Sequence, residues 1–153
     1  VKTRLIHAFG YNKYIYKNLN RKRTIDYLGV GSFSRWKRWE RMVDKPGSKM
    51  VVGEFQKGNP VESADIYNML DEAGIECKDM IPSNKLNLIY NKAKTVYIPA
   101  DIYGGGERAV LEARACGCNV EIEFDNPKLK ELLTCPLWDE DYYISQLKKG
   151  ILC

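Results

Sequence analysis

Histidine is nearly missing from this 153-residue chain: His7 is the only one. The five cysteines, Cys77, Cys116, Cys118, Cys135 and Cys153, are odd in number, and Cys116-x-Cys118 has no second pair. The spacings match neither a zinc pattern nor a disulfide framework. Reduced, structural thiols are therefore expected, which favours a cytoplasmic location. No apolar run approaches the roughly 18 residues that span a bilayer, so no transmembrane segment is expected. No basic-apolar-small leader stands at the start. Internal repeats and low-complexity tracts are absent. An excess of one charge is also missing. Lysine plus arginine number 24 and aspartate plus glutamate 20, a net of +4. That suits an anionic ligand but is too small to demand nucleic acid. The chain opens on Val1 rather than Met, as a piece of a longer protein would.

What is present is an ordinary globular balance, 44% hydrophobic and 29% charged residues. Residues 1–153 are read as one domain, able to bury roughly 70% of its unfolded surface without metal or disulfide. Short apolar runs alternate with amphipathic stretches. Strands are expected at Thr24–Gly31, Lys49–Phe55, Ile75–Met80, Thr95–Ala100 and Asn119–Phe124. Helices are expected after Ser34, after Asn59-Pro60, after Ser83, from Glu107 to Cys116, after Asn126-Pro127 and after Asp139. The helix after Ser34 carries a Trp36, Trp39, Val43 stripe and stops at Lys45-Pro46-Gly47. Residues 1–23, aromatic and basic without period, read as an opening strand plus an irregular connection. The alternation implies an α/β fold: a doubly wound parallel sheet of about six strands, with helices on both faces.

Ligands of such sheets bind beyond the carboxyl ends of the strands, and two loops there stand out. Gly29-Val30-Gly31-Ser32-Phe33-Ser34 is followed by Arg35, Lys37 and Arg38. Glycines admit a close ligand, and a helix start offers N–H groups to an anion. A tight turn before a solvated basic face is the plainer reading. The second loop, Gly104-Gly105-Gly106, makes another phosphate-sized concavity before a helix. Glu112 lies in that helix among Val110, Leu111, Ala113 and Ala115. A buried carboxylate there needs partners, either ligand hydroxyls or an arginine such as Arg108 or Arg114.

The segment Gly104-Gly105-Gly106-Glu107-Arg108-Ala109-Val110-Leu111-Glu112-Ala113-Arg114-Ala115-Cys116-Gly117 resembles the signature of family-4-like GT-B glycosyltransferases (glycosyl transferases group 1), E-G-F-G-L-x-x-x-E-A-x-A-x-G. Other landmarks follow in the family's order: Tyr27-Leu28-Gly29-Val30-Gly31 with Lys37, Met50-Val51-Val52-Gly53, and Asn87 to Lys94 before the next strand. The resemblance implies the carboxy-terminal, donor-binding Rossmann-like half of a two-domain enzyme. Such an enzyme transfers a sugar from a nucleotide-diphosphate sugar to an acceptor hydroxyl with retention. It implies that Glu112 binds the nucleotide ribose. Backbone amides at Gly105, Gly106, Glu107 and Arg108 would hold diphosphate and sugar. Lys37, beside Gly31, would bind phosphate, with Arg35 substituting for the family's loop arginine. The family's first signature glutamate falls at Gly104, which is glycine here. The amino-terminal acceptor-binding half is absent from this chain. No cofactor is expected, and no essential bound metal, because the sequence is read as offering no D-x-D carboxylate pair; Arg35, Lys37, Arg38 and two helix starts supply positive potential instead.

Three other readings compete. A Rossmann-type dinucleotide or methyl-donor binder would use Gly29-x-Gly31 and Glu54, but Ser34 stands where its third glycine belongs. A nucleic-acid binder would use Tyr11, Lys13, Tyr14, Tyr16, Lys17 and Arg21-Lys22-Arg23; packing of those tyrosines on the domain is favoured, so no nucleic-acid partner is expected. A non-catalytic glycosyltransferase-like nucleotide-binding domain shares the fold and is motivated by Gly104.

Overall fold

The computed structural model describes residues 10–104 and 108–152. Five strands form one parallel sheet: β1 (Ile25–Val30), β2 (Lys49–Gly53), β3 (Glu76–Asp79), β4 (Ala93–Ile98) and β5 (Asn119–Ile122). Their spatial order is β3-β2-β1-β4-β5. The register pairs Leu28 with Met50 and with Val96, and Val96 with Val120. The opening strand expected in residues 1–23 is not found at 10–23, and residues 1–9 lie outside the described residues. Within them the sheet has five strands rather than about six.

The central strands are apolar on both faces, as a doubly covered parallel sheet requires. Leu28, Val30, Met50, Val52, Val96 and Ile98 point to one core. The alternate residues Val51 and Tyr97, with half-buried Tyr27, point to the other. The first core is closed by α2 (Ser83–Tyr90), α3 (Arg108–Ala115) and α4 (Pro127–Thr134). The second is closed by α1 (Pro60–Glu72) and by Phe33, Trp39 and Met42. Caps follow the sequence signals. The Asn59 side chain accepts from the Glu62 N–H and Asn126 from Lys128 and Leu129, each just before a proline. The Asp139 carboxylate accepts the Tyr142 N–H at 2.8 Å and starts α5 (Glu140–Leu152). Ser83 is the first residue of α2 rather than its cap, which is Pro82.

The expected helix after Ser34 is not α-helical. It is two 3-10 turns, Arg35–Lys37 and Trp39–Met42, separated by Arg38 at φ 53°. Tertiary contacts impose that break. Arg38 donates to the Pro99 carbonyl at 2.6 Å and grips Asp125 with two bonds of 2.6 and 2.7 Å. Such a bidentate pair outweighs the cost of one left-handed residue.

The aromatic, basic connection packs on the domain. Tyr16 is buried edge-on against Tyr90, with centroids 5.8 Å apart. Asn87 of α2 and Asn91, which caps its C-terminus, accept the N–H groups of Lys17 and Leu19. Arg23 donates to the carbonyls of Tyr90, Ala93 and Cys116 at 2.6–3.0 Å. Tyr16 and Arg23 are thus spent inside the fold, whereas Tyr14, Lys17, Arg21 and Lys22 remain exposed. Cys116, Cys118 and Cys135 are buried free thiols, and Cys77 is a half-buried one. Burial pushes Cys116 up to about 12 and Cys77 to about 11, as structural thiols should be. Cys153 lies outside the described residues. No described helix is long and apolar enough to cross a membrane.

Candidate functional site

The strand order reverses at β1. The chain winds outward through β2 and β3, then crosses back to place β4 on the other side of β1. Between β1 and β4 lies the switch point where open α/β sheets bind ligands. The loops flanking it are 31–38, which lies in the first loop singled out by sequence, and 99–104, which leads into the glycine run singled out as the second.

The loops are stitched together. The Asp101 N–H donates to the Trp36 carbonyl at 2.9 Å. The Lys37 ammonium donates to the Gly104 carbonyl at 3.1 Å. Arg38 ties both loops to Asp125 after β5. Asn126 adds bonds to the Ala100 and Asp101 carbonyls at 3.1 and 2.9 Å. Lys37 therefore stands at the threshold of the glycine run, its charge held beside residue 104. Gly105, Gly106 and Glu107 lie outside the described residues. Arg108 is exposed in the first turn of α3.

Some expectations need correction. The loop after β1 does not lead into an α-helix, so the anion-binding helix start assigned there is absent. That also removes the helix a dinucleotide fingerprint needs at this position. Arg38 is committed to Asp125, so it is a clamp between loops rather than a phosphate ligand. Gly29 serves packing: an added Cβ would sit 2.5 Å from the Trp39 ring. At Gly31 a Cβ would come within 3.3 Å of the Lys37 and Trp39 side chains. Residue 31 also sits at φ 157°, a backbone conformation that side chains rarely adopt, and the Lys37 chain lies across it.

Glu112 is 7% exposed and turns toward α2, where the Tyr90 hydroxyl donates to its Oε2 at 2.9 Å. Burial raises its pKa, against the Tyr90 hydrogen bond and the Arg108 charge, which lower it. The Tyr90 hydroxyl is pushed well up by burial and by the Glu112 charge. Arg114 is not its partner: that guanidinium donates to the carbonyls of Leu132 and Cys135 at 2.7 and 2.8 Å. The structure thus brings Gly31, Lys37 and Gly104 together, sets Arg35 at the same mouth, and places Glu112 with Arg108 on α3.

Sequence reasoning missed Tyr90, Asp101 and the Trp36–Tyr103 pair. Asp101 accepts the N–H groups of Tyr103 and Gly104 at 2.8 and 3.2 Å, shaping the approach to the glycines. An aspartate two residues before a turn was its signal. Asp139-Glu140-Asp141 is a D-x-D triplet, so the expectation that the sequence holds none needs correction. Lys13 pairs with both aspartates, and Tyr14 donates to Asp141. Among the described residues no group of three or more His, Cys, Asp or Glu is placed to hold a metal ion.

No protein-family model matches the sequence, and a search of curated proteins returns no match. Solved structures do match. The sucrose-phosphate synthase of Thermosynechococcus elongatus superposes over 94% of this chain at TM-score 0.64 and 19% identity. The C-terminal domain of a glycosyl transferase group 1 family protein (LpcC) from Francisella tularensis does so over 94% at TM-score 0.63 and 16% identity. Anabaena HepE, solved in complex with UDP and glucose, also covers 94%, at TM-score 0.66 and 14% identity. This chain spans 42% of the synthase and 46% of HepE, under half of each, but 89% of the Francisella domain. Likeness at these identities establishes the fold, which is the Rossmann-like half of the GT-B architecture that the signature resemblance implied.

Proposed function

We propose that this chain is the donor-binding half of a glycosyltransferase that moves a sugar from a nucleotide-diphosphate sugar to an acceptor hydroxyl, with retention. The observation that carries the reading is the Lys37–Gly104 hydrogen bond. It joins the basic loop after β1 to the glycine run before α3, across the switch point of the sheet. Lys37 and Arg35, beside Gly31, supply charge for the diphosphate. Backbone amides of Gly105, Gly106, Glu107 and Arg108 hold phosphate and sugar at the start of α3. Glu112 accepts from ribose hydroxyls. Positive charge at the diphosphate stabilises the leaving group as the glycosidic bond breaks, an electrostatic task that needs no cofactor. The UDP and glucose in HepE are in keeping with this assignment.

The acceptor site and the closure that excludes water belong to an amino-terminal domain not contained in this chain. A non-catalytic nucleotide-binding role is the second reading. It is favoured by Gly104, whose side-chain position carries no carboxylate and whose carbonyl is taken by Lys37. A thermal-shift screen of this chain against UDP, GDP and their sugars tests the binding claim, since selective ligands raise the melting temperature. No shift with any of them overturns it. The isolated chain should bind donor yet transfer no sugar; robust transfer by the chain alone would refute the two-domain assignment. Transfer by the two-domain protein separates catalysis from mere binding.

A further inference from the structure

The loop residues beside Lys37 and Gly104 are aromatic. Trp36 and Tyr103 lie against each other with centroids 5.2 Å apart and planes at 50°. The Arg35 guanidinium covers the Trp36 ring at 4.2 Å from its centroid. Tyr103 nevertheless remains 72% exposed. The ring pair is not needed to join the loops, because the Asp101–Trp36, Lys37–Gly104 and Arg38–Pro99 hydrogen bonds already do so. Both rings are held in place by their own backbone: the Trp36 carbonyl accepts from Asp101, and the Tyr103 N–H donates to the Asp101 carboxylate. An exposed phenol ring, packed on Trp36 along one edge, therefore faces solvent at the ligand edge of the sheet, next to the glycine run.

We infer that Tyr103, backed by Trp36 and Arg35, is a stacking platform for the apolar face of a pyranose ring at the mouth of this site, an inference that rests on the glycosyltransferase reading. A pyranose presents a patch of polarised C–H groups on one face. The electron-rich face of an aromatic ring attracts such groups. Arg35 fills one face of Trp36 and Trp36 supports Tyr103, so the ring loses little freedom when a sugar stacks on it. The platform selects for sugar shape, while Lys37 and the glycine run serve the phosphates. The sugar is either that of the donor or that of an acceptor which the amino-terminal domain presents to this mouth.

Calorimetry with UDP, GDP, UDP-glucose, UDP-N-acetylglucosamine and GDP-mannose distinguishes these sources. Saturation-transfer NMR with the methyl glycosides of glucose, galactose and mannose completes the test. It uses the wild type, Tyr103→Ala and Tyr103→Phe. Tyr103 is exposed, so the alanine variant should fold; an unchanged melting temperature checks this. If the donor sugar stacks, Tyr103→Ala weakens the nucleotide sugar about three- to tenfold, leaves the bare diphosphate unchanged, and Tyr103→Phe binds as wild type. If the acceptor stacks, nucleotide-sugar affinity is unchanged and Tyr103→Ala loses saturation transfer to a methyl glycoside. Equal weakening of diphosphate and nucleotide sugar overturns the inference, as does no effect on any probe. If the wild type binds no nucleotide or nucleotide sugar, the glycosyltransferase reading falls. The methyl glycosides then decide the platform alone, and absence of saturation transfer from the wild type to any of them overturns it too.

Discussion

Replacing Glu112 by glutamine should separate binding from stability. The carboxylate is 7% exposed and receives the Tyr90 hydroxyl at 2.9 Å. A glutamine carbonyl oxygen can accept the same bond, so the packing and the Tyr90 partner survive. What disappears is a buried negative charge, which burial disfavours. The folded-state pKa of Glu112 is raised above its unfolded value. Its contribution to stability is therefore full below about pH 4.5 and is lost as pH rises through the folded pKa. Glu112→Gln escapes that loss, so its melting temperature should match the wild type near pH 4 and equal or exceed it at pH 7–8. Ligand affinity should move the other way. A ribose hydroxyl donating to a carboxylate is worth roughly 1.5–3 kcal/mol, against about 0.5–1.5 kcal/mol for the neutral amide oxygen, so the substitution should cost about 1–1.5 kcal/mol, about five- to twelvefold in dissociation constant. Calorimetry with uridine, guanosine and their diphosphates, and melting curves from pH 4 to 8, measure both on the same samples. Glu112→Ala provides the contrast: it strands the Tyr90 hydroxyl and should cost about 1–3 kcal/mol of stability. Unchanged affinity in Glu112→Gln would refute the ribose role. A lower melting temperature at pH 7 would show that the charge is fully compensated, with Arg108 as the compensating group.

Lys37→Ala should weaken nucleoside diphosphates about 10- to 100-fold and leave free nucleosides nearly unchanged, read by calorimetry; equal loss for both removes the phosphate assignment. Diphosphate affinity should survive EDTA, because Lys37 and Arg35 stand at the mouth; a drop of more than about tenfold on chelation would require a bound cation. Arg23→Ala, which strips hydrogen bonds from the carbonyls of Tyr90, Ala93 and Cys116, should cost about 2–3 kcal/mol in urea unfolding. A loss within experimental error would mean water replaces the guanidinium. Asp26, held down to about 2 by Lys94 and Ser48, should contribute stability above about pH 4 that fades as pH falls toward 2; Asp26→Asn should flatten that part of the acid melting profile.

Much of the fold was legible in the residues themselves. Apolar runs of strand length recur with helical stripes between them, and Asn59-Pro60, Asn126-Pro127, Gly74 and Gly117 mark helix ends. These signals are local: capping, periodicity and left-handed glycines depend on neighbours a few residues away. The two glycine loops were equally visible, and the signature around Glu112 pointed to the GT-B fold before any coordinates. The state of the Ser34 segment could not be read this way. Its Trp36–Trp39–Val43 stripe fits an α-helix, but Arg38 is drawn into the left-handed region by Pro99 and Asp125, 61 and 87 residues away. Tertiary structure alone likewise decided that Glu112 meets Tyr90 rather than Arg114, and that Arg38 is a clamp while Lys37 guards the glycine run. Those outcomes turn on which side chains the crossing of β4 beside β1 brings together. A charge or hydroxyl takes its partner from whatever the chain delivers there, and no local pattern encodes that meeting.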